Sequence, residues 1–131
     1  MKLVDTSAWV EFLRRRGDAR AKQAVASLIE DDLTAYTCPI LFELLSGVRP
    51  EEEEDLRQAL HFSRHIPFVA EDWQQAAALD RQMRAKGLQV PRIDLFVATV
   101  AIRTRLALVC RDAHFTEMDA VIGNQLQVEQ I

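Results

Sequence analysis

The sequence predicts an α/β fold built on a central parallel sheet, and two observations carry that expectation. Short apolar runs alternate with amphipathic stretches along the chain, so successive strands are separated by helices. Crossovers of that kind make neighbouring strands parallel and cover both faces of the sheet. The chain also has the size and composition of one such domain, 1–131, with 49% hydrophobic residues, four Gly, four Pro and no internal repeat.

The elements follow in order. Lys2 to Val4 reads as a strand ending in Asp5, after which Thr6 or Ser7 caps a helix from Ala8 to Arg14. Ala21, Ala24, Val25, Leu28 and Ile29 mark one buried face of a helix over Asp18 to Asp31. Leu33 to Thr37 is a β-type run. Pro39 opens a helix to Ser46 that Gly47 stops, and Pro50 opens another with Glu51 to Asp55 in its first turns. Ile66 to Val69 is a strand. Glu71 to Lys86 is a helix with Ala76, Leu79 and Met83 on one face and Gly87 at its end. A further helix runs from Arg92 or Ile93 to Arg105, then an apolar strand from Leu106 to Cys110. A turn or short helix over Ala113 to Met118 and a last strand over Leu126 to Glu129 complete the chain.

Composition narrows the function classes. No secretory leader is read at the start, and no apolar stretch approaches the roughly 20 residues of a membrane helix, so the expected setting is the cytoplasm. Cys38 and Cys110 fit reduced core residues better than a disulfide. The net charge of −4 argues against binding nucleic acid through one broad basic face. It leaves a nuclease open, because bound cations reverse the local sign of carboxylates that hold them.

Four acids stand out. Asp5 and Asp112 sit just past the carboxyl ends of predicted strands, where parallel sheets bind ligands. Glu43 interrupts the apolar run Ile40-Leu41-Phe42-Glu43-Leu44-Leu45, where an unpartnered buried charge is costly. Asp94 opens a helix that is apolar nearly all round, from Leu95 to Ile102. Each acid alone has a plain structural reading as a strand end, helix start or turn. Converging on one sheet edge, they repel and call for a cation. Mg²⁺ or Mn²⁺ suits such an all-oxygen site, where it activates water and screens a phosphodiester.

The stretches Leu3-Val4-Asp5-Thr6-Ser7-Ala8-Trp9, Cys38-Pro39-Ile40-Leu41-Phe42-Glu43-Leu44, Val90 to Thr99 around Asp94, and Leu108 to Phe115 around Asp112 resemble, in this order, the four acidic segments of PIN-domain nucleases. Each is weak alone; the ordered set is specific. The small size looks most like VapC-type toxins of bacterial toxin–antitoxin pairs. The resemblance implies a three-layer α/β/α sandwich, Mg²⁺- or Mn²⁺-dependent endoribonuclease activity on RNA, a homodimer and a cognate antitoxin. It gives Asp5, Glu43, Asp94 and Asp112 the catalytic roles. Asp5 and Asp94 are the main metal ligands, with Asp112 acting directly or through water. Glu43 holds a second ion or orients the attacking water. Ser7 matches a supporting hydroxyl, or is a plain helix cap. The family often has Thr two residues before the fourth acid, where this chain has Cys110, a poor substitute for a hydroxyl.

Other features read more simply. Glu51 to Asp55 is a solvated helix start. His61 and His65, four apart on one predicted helix, lack further zinc ligands nearby. His114 reads as packing sooner than substrate contact. Trp9 and Phe12 read as core. Arg14, Arg15, Arg16, Arg20 and Lys22 are solvated or contact phosphate, and Arg92 and Arg111, beside proposed ligands, are the better substrate-binding residues.

Two competing readings remain. A phosphate-accepting α/β domain would use a nucleophilic Asp after a strand. A haloacid dehalogenase-like site expects an acid two residues on, where Ser7 stands, and a receiver expects a late Lys, absent after Lys86. A catalytically inactive interaction module would have no reason to keep four acids.

Overall fold

The computed structural model describes residues 1–131. Its centre is a five-stranded, all-parallel sheet in the order β3-β2-β1-β4-β5, flanked by helices as a three-layer α/β/α sandwich. The strands are β1 (Lys2–Val4), β2 (Thr34–Thr37), β3 (Arg64–Ile66), β4 (Ala107–Cys110) and β5 (Gln127–Gln130). The helices are α1 (Thr6–Leu13), α2 (Ala19–Glu30), α3 (Cys38–Gly47), α4 (Glu53–His61), α5 (Ala70–Ala85), α6 (Arg92–Thr104) and α7 (Ala113–Val121). No helix is long and apolar enough to cross a membrane.

The strand order positions the site. From β1 the chain winds outward through β2 to β3, then returns to lay β4 on the other side of β1 and β5 beyond it. Leu3 pairs with Ala35 on one side and Leu108 on the other. The order reverses between β1 and β4, and the crevice at their carboxyl ends is where such sheets bind ligands. Leu3, Val4, Leu108 and Val109 are sealed at the middle of the core, which keeps those two strand ends fixed.

Several local expectations shift. Asp5, not Thr6 or Ser7, caps α1: its Oδ2 accepts the Ser7 amide at 3.0 Å, so the helix begins at Thr6. The strand expected over Ile66 to Val69 lies at Arg64–Ile66 and stops before Pro67, which has no N–H for a ladder. His61 and His65 therefore do not share a helix; α4 ends at His61, and His65 stacks against Tyr36 from an edge strand. The Pro50 segment starts as a 3-10 turn, Pro50–Glu52, and Glu52 is not solvated, because its carboxylate turns back to accept the Arg49 amide at 3.0 Å. Gly87 ends α5 with φ +78, the left-handed geometry expected of it. Gly17 has a different reason to be glycine: a Cβ there would lie 1.9 Å from the Glu11 carbonyl oxygen. Trp9 is fully buried and meets Phe12 edge-on, as core packing predicts. Lys22 is no free surface cation, since its Nζ donates to the Phe12 and Arg14 carbonyls at the end of α1.

Candidate active site

The last residue pairing of β1 hands the chain to Asp5, whose amide donates to the Val109 carbonyl of β4 at 2.9 Å. The carboxylate is thereby held beneath the strand ends, 3% exposed. Its Oδ2 accepts from the Ser7 hydroxyl at 2.6 Å as well as from the Ser7 amide. Its Oδ1 is buried without any hydrogen-bond partner. Trp9 Nε1 and Thr37 Oγ1 share that condition, but neither atom carries charge. Burial pushes the Asp5 carboxyl above its ordinary value against the pull of Ser7, and Glu43 pushes the same way.

Asp94 stands in the first turn of α6, 8% exposed. Its carboxyl is pushed from 3.8 to about 7, first by burial, then by the charges of Asp112 and Asp5, with His114 opposing. Asp112 caps α7, its Oδ1 accepting the His114 amide at 2.9 Å. The His114 ring folds back over both acids: Nδ1 lies 3.0 Å from Asp94 Oδ2 and 3.0 Å from Asp112 Oδ1. Burial opposes protonation of this imidazole, but Asp112 and Asp94 together outweigh it and raise its pKa.

Glu43 projects from α3 to the same corner, and its Oε1 accepts the Thr6 hydroxyl at 2.7 Å. The four predicted acids are thus electrostatically coupled. Ligand atoms of Asp94, Asp112 and His114 lie within 4.8 Å of one another, while Asp5 and Glu43 stand further out in the same field. Ser7 is more than a cap, because its Oγ also accepts the Arg111 amide at 2.9 Å and so ties α1 to the loop bearing Asp112. The Arg111 guanidinium turns away, toward Glu11, Asp18 and the Ile131 carbonyl. Arg92 is exposed two residues before Asp94. Cys110 is fully buried, its thiol pushed up to about 12 by burial, and it reaches the Asp112 carbonyl at 3.9 Å, not the carboxylate.

Sequence reading missed Thr6 as a partner of Glu43 and ranked His114 as packing. The available signal for His114 was its place two residues after an Asp that ends a strand, where an Asx-type cap folds the next residues back over the carboxylate. A cavity of about 430 Å³ lies elsewhere, between α5 and α6, and none of the proposed site residues lines it.

The PIN domain family profile matches residues 2–121. The chain belongs to the PIN domain family. It is 35% identical over 121 residues to VapC ribonuclease Mb1587 of Mycobacterium bovis, covering 88% of this chain and 89% of that protein. The identity and coverage are the same for ribonuclease VapC11 of Mycobacterium tuberculosis. Among solved structures it is similar to VapBC2 from Rickettsia felis, bound there to a promoter DNA fragment, with TM-score 0.79 at 20% identity over 98% of this chain and 97% of that one. The protein is a VapC-type PIN domain, which sets aside the receiver and dehalogenase readings.

Proposed function

We propose that this PIN domain is a Mg²⁺- or Mn²⁺-dependent endoribonuclease acting in the cytoplasm as the toxin of a toxin–antitoxin pair. The single observation that carries the chemistry is the uncompensated charge at the β1–β4 crevice. Asp5 offers a buried oxygen with no partner, and the Asp94 carboxyl is pushed to about 7 first by burial and then by the charges of Asp112 and Asp5, against the pull of His114. Clustered carboxylates in that condition fit a divalent cation. Ribonuclease activity is supported by the named VapC relatives, and the toxin role by the resemblance to VapC-type toxins.

Asp5, Asp94 and Asp112 are the ligands in this reading. When bound, the ion activates water, screens the phosphodiester and stabilises the leaving oxygen. Ser7 fixes the Asp5 rotamer through two hydrogen bonds to one oxygen and leaves the other free. Glu43, steadied by Thr6, accepts a proton from the attacking water or holds a second ion in this reading. Arg92 contacts substrate phosphate directly. Arg111 does so after leaving Glu11 and Asp18, contacts of 3.5 Å and longer at a partly exposed side chain that cost little to break. Residues 1–131 act as one nuclease domain. A cognate antitoxin places a basic residue in the acidic pocket, and a second copy of the chain covers the apolar face that leaves Phe42, Leu45 and Trp73 about 60% exposed.

Cleavage of cellular RNA by the purified protein tests this reading. Cutting is expected with Mg²⁺ or Mn²⁺ and should vanish with EDTA or in Asp5→Ala. Cutting that survives EDTA in Asp5→Ala overturns the site.

A further inference from the structure

We propose that His114 is itself a metal ligand through Nδ1, beside Asp94 and Asp112, and that this nitrogen makes the site favour Mn²⁺ over Mg²⁺. The inference rests on the metal-dependent reading above and adds a residue and a selectivity to it.

Spacing is the first argument. Two neighbouring ligands of an octahedral ion, each about 2.1 Å from it, stand about 3.0 Å apart. The ring nitrogen is 3.0 Å from Asp94 Oδ2 and 3.0 Å from Asp112 Oδ1, a hydrogen-bond length that is also the edge length of such a site on both sides. A second argument is the tether. Because the His114 amide donates to Asp112 Oδ1 at 2.9 Å, the imidazole is placed by the first turn of α7 and does not depend on a free rotamer search. A third is the company it keeps. Nδ1 faces two carboxylate oxygens, so a proton or a cation has to lie between them, and the nearby Asp5 oxygen without a partner also lacks a cation. Selectivity follows from the donor set. Both ions suit carboxylates, but Mg²⁺ demands near-ideal octahedral geometry and dehydrates reluctantly, whereas Mn²⁺, a transition-metal ion, exchanges a water for a nitrogen donor more readily.

The competing possibility is that the ring plugs the site as an imidazolium and must be displaced by the ion. Metal-binding measurements on the full-length, metal-stripped protein separate the two. Mn²⁺ and Mg²⁺ are titrated by calorimetry into wild type, His114→Ala, His114→Gln and Asp94→Asn, and the Mn²⁺-loaded proteins are examined by pulsed electron paramagnetic resonance for ¹⁴N coupling. Wild type should show directly coupled imidazole nitrogen, absent in His114→Gln. Both His114 variants should lose about 10–100-fold in Mn²⁺ affinity and much less in Mg²⁺ affinity. The wild-type spectrum needs no variant to fold, and melting curves check those that are used. No ¹⁴N coupling in Mn²⁺-loaded wild type, equal losses for both ions, or a gain in affinity on removing the ring would overturn the proposal. If Asp94→Asn abolishes binding of both ions while the His114 results are negative, only the role of His114 falls. If Asp94→Asn binds both ions like wild type, the metal site falls with it.

Discussion

Asp72 and Asp5 are both sealed from water at the start of a helix, 0% and 3% exposed, yet the fold treats them oppositely. Asp72 opens α5 with every hydrogen-bonding need met. One oxygen accepts Arg103 Nε at 2.8 Å, and the other accepts the Val69 amide at 2.9 Å and Arg103 Nη2 at 3.0 Å. Arg103 goes on to donate to the Pro67 carbonyl, so one guanidinium stitches α6 to the segment before α5. Asp5 has Ser7 on one oxygen and nothing on the other, and its charged neighbours are acids. The basic side chain closest in sequence to the cluster's fourth acid, Arg111, is turned to Glu11 and Asp18. A buried acid that the protein neutralises itself is architecture, whereas one left uncompensated at a strand-order reversal waits for something from outside.

The contrast predicts opposite responses to substitution. Asp72→Ala strands the Arg103 contacts and should cost about 2–3 kcal/mol, the lower side of a broken buried pair because Arg103 still reaches solvent. The melting temperature should fall by the same amount with EDTA or Mn²⁺ present. Asp5→Asn should leave the metal-free protein as stable as wild type or more so, while abolishing cleavage and any metal-induced rise in melting temperature. Equal destabilisation of the metal-free protein by the two variants would erase the distinction.

The pH dependence of the metal-free protein is the next, smaller effect. The Asp94 carboxyl is raised from 3.8 to about 7 in the folded chain, so folding favours its protonated form. Its stabilising contribution is complete below about pH 4 and is lost as pH rises through about 7. Asp5, raised in the same direction, and His114, raised beside the same acids, act in the same sense. With EDTA present, the unfolding free energy from denaturant titrations should therefore decline between pH 4.5 and 7.5, by about 2 kcal/mol once relaxation of a site this near the surface is discounted. Asp94→Asn should flatten most of that slope. A wild-type midpoint that rises over this window would mean the cluster is already neutralised within the chain.

How much of this was legible beforehand follows from the range of the contacts. The parallel sheet and the placing of Asp5 and Asp112 after strands are local patterns, so alternation of apolar runs and helix signals revealed them. Glu43 was legible as a charge out of place in an apolar helix. The partners were not: Thr6 meets Glu43 across 37 positions and His114 meets Asp94 across 20, and nothing in either local sequence encodes the meeting. The turning of Arg111 depends on the α1–α2 turn, where Gly17 lets the chain pass against Glu11. The early end of β3 was a matter of Pro67 outweighing the apolar pattern on either side of it.

Cys110 gives the finest probe of the same comparison, because it asks whether Asp112 depends on its strand or on its helix. The resemblance to PIN-domain nucleases leads one to expect Thr where this thiol stands, which put the support of Asp112 in question. In the fold the Asp112 carboxylate is oriented from the other direction, by the His114 amide at 2.9 Å, and its carbonyl is held by Gln130 Nε2 at 2.8 Å. The buried, neutral thiol makes its hydrogen bond to that carbonyl, at 3.9 Å, and none to the carboxylate. Cys110→Thr should destabilise by about 1–3 kcal/mol, because it adds a heavy atom and a hydroxyl at a fully buried position. It should move kcat/KM for RNA cleavage by less than about threefold. A gain of tenfold or more, about 1.4 kcal/mol of transition-state stabilisation, would mean that a strand hydroxyl does orient Asp112 and that the helix cap leaves it under-supported.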